Sequence, residues 1–452
     1  MELIAMFCTR ATRSIGTRSF VTVSDVDQCF FRLRARALLT FDSLASFEDK
    51  MEAEGPTEKC RSSQDDIPKS APSLFSTDTH YTACSLEFCP SKPNFLVCGL
   101  YQTVQLNGSQ SAEDLESPKT ERLGRCLLFE QKNYTSSVSE MDGDAQPPKL
   151  ECKQIQQIDG PAILDQRWTQ DSDEPILITA DAQGFLNSFV LANDSFMARS
   201  KKAGNKDPDH TQLRPIEKYS CASKDTLCLA LDISDKVQRA SDQQVVTSLS
   251  NGEIVLMDLS SSNHRLEETS RWHAHDFEPW TCGFDYWQPS TILTGGDDCK
   301  LKIWDTRSGT SQPIFTYKQF EGGVTAVRSH HLREHIYAVG SYDAHLRIFD
   351  KRYISKPICD YDVGGGIWRL KWHPTQANHL LVAAMHNGFA VMDIPESDEQ
   401  AVRVHTQFTE HASLAYGADW GEELKLGTQG TSTIVGSCSF YDHLMHIWAF
   451  ES

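Results

Sequence analysis

Short runs of alternating apolar and polar residues fill most of the chain, a pattern expected of β-strands with one buried face. Three stretches in the second half repeat the order strand, tight turn, strand, and in each an aspartate precedes an aromatic residue by six positions. The three pairs are Asp298 with Trp304, Asp343 with Phe349, and Asp442 with Trp448. The first two aspartates lie 45 residues apart, a period typical of a four-stranded propeller blade rather than of a helical repeat.

Units of this kind can be assigned seven times along the chain. They cover approximately residues 85–129, 162–189, 227–258, 272–307, 322–352, 366–393 and 414–450. The chain ends on the third strand of the last unit, and residues near 74–81 are expected to pair with it as the fourth. Such pairing closes a ring without an unpaired sheet edge. The sequence therefore predicts an all-β fold, a seven-bladed WD-repeat β-propeller over residues 73–452.

Residues 1–72 differ from the rest, and we expect them to form a poorly ordered, disordered N-terminal extension. Arginines between positions 10 and 36, interspersed with serine and threonine, resemble a mitochondrial transit segment. Against that interpretation, Glu2, Asp25 and Asp27 interrupt the basic run, and Met51 offers an alternative start. Both interpretations of the first fifty residues stay open.

Composition narrows the function. A net charge of −19 argues against a nucleic-acid binder, which needs a concentrated basic surface, and suits a basic partner better.

The 14 cysteines are scattered without zinc-ligand spacing, so we expect reduced cysteines that pack as small hydrophobes in a cytoplasmic monomer. No apolar run is long enough to cross a membrane. Phosphate-loop, dinucleotide and metal motifs are missing, and so is a nucleophile elbow, so we expect no cofactor and no metal.

A polar network is predicted inside blade four. In WD-repeat propellers the aspartate of the repeat bonds a histidine in the loop that leads into the blade, and a hydroxyl and a tryptophan continue the chain of bonds. His275, Thr294, Asp298 and Trp304 can build this network. A scaffold role explains all four residues, because buried polar groups require partners.

Blade six breaks the repeat. Counting back six positions from Met392 gives His386 where the other three blades have aspartate. Histidine can serve as a general base near neutral pH, so His386 is a candidate catalytic residue, with Asp343, Asp442 or His443 as candidates to orient it or a water molecule. The alternative is a degenerate repeat with a surface or packed histidine.

Aromatic residues are expected to gather on the same loop face of the ring. The candidates are Trp280, Tyr342, Trp368, Tyr416 and Tyr441. Aromatic faces beside carboxylates attract a quaternary ammonium or another soft cation. Filling of the propeller core is the alternative role for each of them.

Several linked motifs are together typical of one family. They include Trp272-His-Ala-His-Asp-Phe-Glu-Pro-Trp280, Gly365-Gly-Ile-Trp-Arg-Leu-Lys-Trp-His-Pro374, Met385-His-Asn-Gly-Phe389 and Tyr416-Gly-Ala-Asp-Trp420. From about residue 75 onward the chain resembles the WD-repeat diphthine methyl ester hydrolases. The resemblance implies hydrolysis of the methyl ester of methylated diphthine on translation elongation factor 2, which yields diphthine for the final amidation to diphthamide. The trimethylammonium group of that substrate would suit an aromatic, acidic face.

A second interpretation makes the chain a non-enzymatic scaffold. Trp304-Asp305-Thr-Arg307 and Phe349-Asp350-Lys-Arg352 fit a W-D-x-R pattern through which some propellers dock on cullin-type ubiquitin ligase adaptors. The chain would then be a substrate receptor. Alternatively, each arginine closes a strand and bonds locally.

Overall fold

The computed structural model describes residues 68–106, 119–134, 149–170, 173–193, 211–223, 225–237, 243–396, 401–425 and 431–452. The predicted N-terminal extension lies outside the described residues up to position 67. Seven sheets of consecutive antiparallel strands make up the described chain, and its helical segments are two single 3₁₀ turns, Ser234–Lys236 and Lys351–Tyr353. The prediction of an all-β, seven-bladed propeller is confirmed.

In blades one to six, four antiparallel strands follow chain order from the ring centre outward. The strands of the first three blades are β3 (Thr82–Phe88), β4 (Phe95–Leu106), β5 (Lys119–Tyr134), β6 (Lys149–Pro161), β7 (Ile163–Trp168), β8 (Ile176–Asp181), β9 (Phe185–Asn193), β10 (Thr211–Ser220), β11 (Cys228–Ile233), β12 (Gln243–Leu249), β13 (Glu253–Leu259) and β14 (Leu266–His273). In blade one, β4 and β5 form a long hairpin whose pairing extends to Leu106 and Lys119.

Blades four to six are built in the same way. Their strands are β15 (Thr281–Phe284), β16 (Thr291–Gly296), β17 (Lys300–Asp305), β18 (Phe315–Tyr317), β19 (Val324–Ser329), β20 (Ile336–Ser341), β21 (His345–Asp350), β22 (Cys359–Asp362), β23 (Arg369–Trp372), β24 (His379–Ala383), β25 (Phe389–Asp393) and β26 (Arg403–Phe408). Blade four starts later than residue 272, because Trp272 and His273 end the outer strand of blade three.

Blade seven takes its outer strand from the other end of the described chain. Its own strands are β27 (Ala415–Lys425), β28 (Thr431–Ser439) and β29 (Leu444–Glu451), and β2 (Ser73–Asp78) pairs antiparallel with β29. A two-residue strand, β1 (Lys69–Ser70), adds in parallel to β26 of blade six. The N-terminal part of the propeller thus covers sheet edges on two blades.

The apolar core lies between neighbouring blades. One cluster joins residues of blades five and six, and another joins blades seven and one. Small residues in the second strands allow this close approach, since a Cβ atom at Gly295 would collide with Val324 and one at Gly340 with Ile367. The described cysteines contribute to this packing, because all of them are free and all except Cys299 are buried.

The predicted network of blade four is confirmed. His275 Nδ1 lies 2.9 Å from an Asp298 carboxylate oxygen, and its Nε2 lies 2.7 Å from Thr294 Oγ1. The indole N–H of Trp304 donates to the same hydroxyl at 2.9 Å. The network ties the turn between β16 and β17 to the loop that leads into the blade.

The ring has two faces. We call the upper face the one where the innermost strands begin and the second strands end, as Trp280 and Tyr342 illustrate. The lower face is the one where the innermost strands end, for example at Ile233 and Trp372.

Candidate substrate-binding face

The upper face carries the five predicted aromatic residues, and Trp368 lies at the centre of four of them. Its ring centroid is 5.9 Å from that of Trp280 and 6.3 Å from that of Tyr342. It stacks on Tyr416, with a centroid distance of 4.8 Å and an interplanar angle of 20°. Blades four, five, six and seven therefore contribute to one continuous aromatic cluster, in which Trp280 and Tyr416 are buried.

The cluster continues through a residue that the sequence did not single out. Phe440 lies 4.6 Å from Tyr416 and 4.9 Å from Tyr441 between ring centroids, and 6.3 Å from Tyr101 of blade one. We call the full set the aromatic belt. Its members are Trp280, Tyr342, Trp368, Tyr416, Phe440, Tyr441 and Tyr101. Tyr441 is 45% exposed, so the belt reaches solvent at blade seven.

Position in the blade explains why these side chains meet. Trp280 and Trp368 directly precede innermost strands, whereas Tyr342 directly follows a second strand. Such positions surround the upper mouth of the central channel. The Tyr342 ring fits between Gly323 and Gly366, since a Cβ atom at either glycine would lie 3.3 Å from it.

Asp297 adds a carboxylate to the belt. It accepts a hydrogen bond from the Trp280 indole N–H at 3.0 Å. Burial, and then the charge of Asp297, raises the pKa of the Tyr342 hydroxyl well above its usual value. Sequence reasoning missed Asp297 because the repeat drew attention to its neighbour, Asp298. The carboxylate beside the rings is therefore Asp297, whereas the sequence had suggested Asp343 and Asp442.

The Trp368 indole nitrogen is buried and has no hydrogen-bond partner among the described residues. An indole N–H can only donate. Buried donors are normally paired, so this N–H is an exception within the belt.

Asp343, a predicted catalytic candidate, is enclosed by donors of its own surroundings. Its oxygens accept from Arg347 at 2.9 and 3.0 Å and from the backbone N–H groups of Glu321 and His345, each at 3.1 Å. Its side chain is only 4% exposed. These contacts hold the β20–β21 turn against the loop before β19.

Asp442 is bound in a similar way in blade seven. It accepts hydrogen bonds from the Ser439 hydroxyl, from Ala412 N–H at 2.9 Å and from Leu444 N–H at 3.1 Å. Burial by itself raises the pKa of Asp442, but His411, Ser439 and Leu444 outweigh that effect and hold the pKa well below its usual range. The carboxylate is therefore a fixed anion.

Ser439, His411 and Asp442 resemble the order of groups in a serine hydrolase, with Ser439 Oγ 2.5 Å from His411 Nδ1. The other ring nitrogen of His411 contacts Ser437 Oγ at 2.8 Å, and Trp448 donates to that hydroxyl at 3.2 Å. Ser439 is fully buried, so no protein-bound ester could reach it. The group repeats the scaffold network of blade four with one additional serine.

His443 lies in the tight turn after Asp442 with a φ of 58°, in the left-handed region that few side chains adopt. Its carbonyl accepts from the Thr79 N–H at 2.8 Å and from the Thr79 hydroxyl at 2.9 Å. These bonds attach the turn to the segment that follows β2.

His386 is exposed on the turn between β24 and β25, and its side chain has no hydrogen bond or ion pair within the described residues. The bond back to the preceding loop comes from Asn387, whose Nδ2 donates to Val363 O at 2.7 Å. No hydrogen bond or ion pair joins His386, Asp343, Asp442 and His443 to one another in the described chain. The five predicted aromatic residues are brought together. The four predicted catalytic residues lie on three blades, with Asp442 and His443 adjacent in the same turn of blade seven.

The two arginines of the W-D-x-R patterns bond locally. Arg307 forms a 2.8 Å ion pair with Asp305, and Arg352 forms a 2.5 Å ion pair with Asp350. Both arginine side chains remain largely exposed, at 63% and 59%. Docking on a ubiquitin-ligase adaptor stays a prediction.

Comparison with known proteins identifies the family. Residues 267–305 match the family described as WD domain, G-beta repeat. Diphthine methyltransferase of Mus musculus is 36% identical over 362 residues, which are 77% of this chain and 69% of that protein. The diphthine methyltransferase homolog of Dictyostelium discoideum is 33% identical over 385 residues, 81% of this chain and 96% of that protein. The chain belongs to the diphthine methyltransferase family. The family resemblance seen in the linked motifs is confirmed.

A solved structure supports the fold of this diphthine methyltransferase family member. A chain from the crystal structure of a mitotic checkpoint complex covers 90% of this chain and 98% of its own length, with a TM-score of 0.56 and 13% identity. At that identity the likeness shows the fold alone. Among the described residues, no helix is long and apolar enough to cross a membrane, and no group of three or more His, Cys, Asp or Glu residues could hold a metal ion.

Proposed function

We propose that this chain hydrolyses the methyl ester of methylated diphthine on translation elongation factor 2, releasing methanol and leaving the free carboxylate of diphthine. Membership of the diphthine methyltransferase family implies a role in diphthamide biosynthesis, with a methyl ester on a protein as substrate. We add to this family role that the reaction is hydrolysis of the ester, and not transfer of a methyl group to the substrate. The cytoplasm, where the elongation factor acts, is the proposed location.

The observation that carries the proposal is the aromatic belt with Asp297 beside it. Diphthine bears a trimethylammonium group, which cannot donate a conventional hydrogen bond and is recognised by ring faces and negative charge. Trp280, Tyr342 and Trp368 supply the faces, and Asp297, bonded to Trp280, supplies the charge. A desolvated contact between a cation and an aromatic ring contributes about 2 kcal/mol.

We assign the base to His386 on the same face. Met385, the preceding residue, and the Tyr342 ring both lie beside Gly366, and His386 is exposed in the next position of the same turn. In this scheme His386 takes a proton from water as the water oxygen attacks the ester carbonyl. The tetrahedral intermediate then expels methoxide, which receives that proton and leaves as methanol.

The remaining residues would support this reaction. The Trp368 N–H has no described acceptor, and it is our candidate to bond the carbonyl oxygen as negative charge develops there, provided that substrate binding uncovers it. The oxygens of Asp343 and Asp442 are engaged by their own blades, which favours a role in holding the turns. His443 stays the candidate for orienting His386 or the water.

The reaction is tested with purified protein and elongation factor 2 carrying methylated diphthine. We expect methanol release and loss of one methyl group from the modified peptide by mass spectrometry, without any added methyl donor. Gain of a methyl group that depends on S-adenosylmethionine would show the opposite direction of chemistry and refute the proposal. Failure of both reactions would favour the scaffold interpretation.

The base is tested separately with His386→Asn, which we expect to lower kcat by about 10²–10⁴-fold, the usual contribution of a general base. KM should change little, because the aromatic belt remains. His264→Asn, in the β13–β14 turn on the lower face, serves as the matched control and should retain activity. Undiminished turnover by the His386 variant would reject the assignment while leaving the hydrolysis itself in place.

A further inference from the structure

The lower mouth of the central channel contains a cavity of about 400 Å³. Its walls include Trp168, Trp372 and Trp420. Trp168 and Trp372 end the innermost strands of blades two and six, and Trp420 lies within the innermost strand of blade seven. Val237 and Leu332 add apolar surface. The volume lies within the range of pockets that bind small molecules, roughly 300–1,000 Å³.

An ion-pair network forms the floor of this cavity. Glu87 accepts from Arg167 at 2.7 Å and from Lys371 at 2.5 Å, and Lys371 also pairs with Asp419 at 3.3 Å. Deeper in the channel, Arg369 pairs with Asp165 at 3.1 Å. Blades two and six are not neighbours, so this last pair spans the ring centre. The network separates the lower cavity from the aromatic belt.

Two buried polar atoms at the cavity have no hydrogen-bond partner within the described residues, and a partly buried lysine has no ion pair there. Arg167 is 4% exposed and its Nη2 is buried without a partner; Asp235 is 2% exposed and its Oδ1 is likewise buried and unpartnered. Lys236 has no ion pair in the described chain, and its ammonium group lies 5.5 Å above the Tyr286 ring. Burial and the neighbouring Lys371 lower the pKa of Lys236.

These groups are costly to the fold. A buried charge or donor without a partner destabilises a protein unless something compensates it. Glu87 shows the contrast, since it is fully engaged by two cations. Lys236 and Arg167 therefore indicate an anionic ligand, and Asp235 indicates a donor on the same ligand.

We propose that the lower cavity binds a small organic monoanion, a carboxylate with an apolar or aromatic body. Lys236 and the free edge of Arg167 recognise the carboxylate. The body packs on Trp372 and Trp420, and Asp235 accepts an N–H or O–H of ligands that carry one.

Charge selects a carboxylate over a phosphate. Four carboxylates, Glu87, Asp232, Asp235 and Asp419, line the same cavity. His331 is neutral near pH 7, because burial and the nearby Lys236 lower its pKa to about 4. Among the described residues that line the cavity, one lysine and one guanidinium edge lack a carboxylate partner, so a second negative charge on the ligand would be repelled.

Ligand-detected NMR of the whole chain tests whether phenylacetate, 3-phenylpropionate and indole-3-acetate bind. Phenylacetamide and phenyl phosphate, matched in shape, are the comparison probes. We expect at least one carboxylate to bind, and the amide and phosphate of the same body to bind at least about tenfold more weakly, the loss expected for one charge-assisted hydrogen bond.

The site is located with Lys236→Met, which should weaken carboxylate binding by at least about tenfold. Lys318→Met, a change of an exposed lysine ahead of β19, should leave binding unchanged, and Lys236→Arg should keep most of it. Lys236 is partly buried and has no ion pair in the described chain, so its replacement by Met should leave the melting temperature equal or higher, which separates lost binding from lost folding. The proposal is overturned if none of the carboxylates binds at millimolar concentration, if the amide binds equally well, or if Lys236→Met binds like the wild type.

Discussion

At the scale of single residues, one turn position distinguishes scaffold from site. The residue before the scaffold aspartate is Asp297 in blade four, Tyr342 in blade five and Tyr441 in blade seven. Asp297 bonds a residue of the aromatic belt, and the two tyrosines belong to it. In blade six the bond to the preceding loop comes from Asn387, so His386 holds the corresponding position. Counting back six positions from Met392 placed His386 in the scaffold position. The sequence alone could not reveal that Asn387 makes the bond to the preceding loop.

Asp297→Asn tests the acidic part of the belt. Loss of the charge should weaken binding of the trimethylammonium group by up to about tenfold, since a partly exposed charge contact contributes about 1 kcal/mol. The change should appear in KM more than in kcat, and tetramethylammonium should inhibit the variant less than the wild type. Asp276→Asn, whose 68% exposed carboxylate pairs with Lys300, is the control and should behave like the wild type. An equal loss in both variants would point to general surface charge instead.

At the scale of elements, a blade can be recognised in the sequence when a particular residue type lies in the turn between its second and third strands. Blades four, five and seven could be assigned from sequence because an aspartate in the turn bonds to the loop leading into the blade. Blade two has Gly184 at the left-handed turn position, with a φ of 79°, and its carboxylate is three residues earlier. That residue, Asp181, bonds Gln183, Phe185 and Asn187 of its own hairpin. The turn is equally well satisfied, but the spacing no longer matches the repeat.

Blade seven should make the propeller sensitive to acid through Asp442. The pKa of this carboxyl is well below its usual value of about 3.9, so the stability that it contributes is fully present above pH 4 and is lost as the pH falls further. Asp442→Asn should lower the free energy of unfolding at pH 7 by about 1–3 kcal/mol, because it weakens charge-assisted hydrogen bonds. In urea titrations the difference between wild type and variant should shrink below pH 4. A difference that is constant with pH would contradict this account.

At the scale of the whole molecule, the channel is the part that sequence could not supply. Glu87 and Lys371 form an ion pair across 284 positions of sequence, and each looks like an ordinary polar residue in an alternating strand. Only closure of the ring brings the innermost strands together. The aromatic residues of the upper face were easier to find, because large side chains beside a repeat motif stand out individually, whereas charged residues on innermost strands do not.

Closure itself can be tested with two truncations. Removing residues 1–72 leaves β2 intact, whereas removing residues 1–78 deletes it and exposes the edge of β29. The longer deletion should cost about 2 kcal/mol or more relative to the shorter one, because Leu74 and Phe75 are partly buried against the core between blades seven and one. Full burial of such a side chain contributes about 1.5–3 kcal/mol. An unpaired edge should also promote association. Thermal unfolding and light scattering measure the two effects. Equal melting temperatures and equal monodispersity of the two truncations would show that pairing of β2 with β29 does not hold the ring closed.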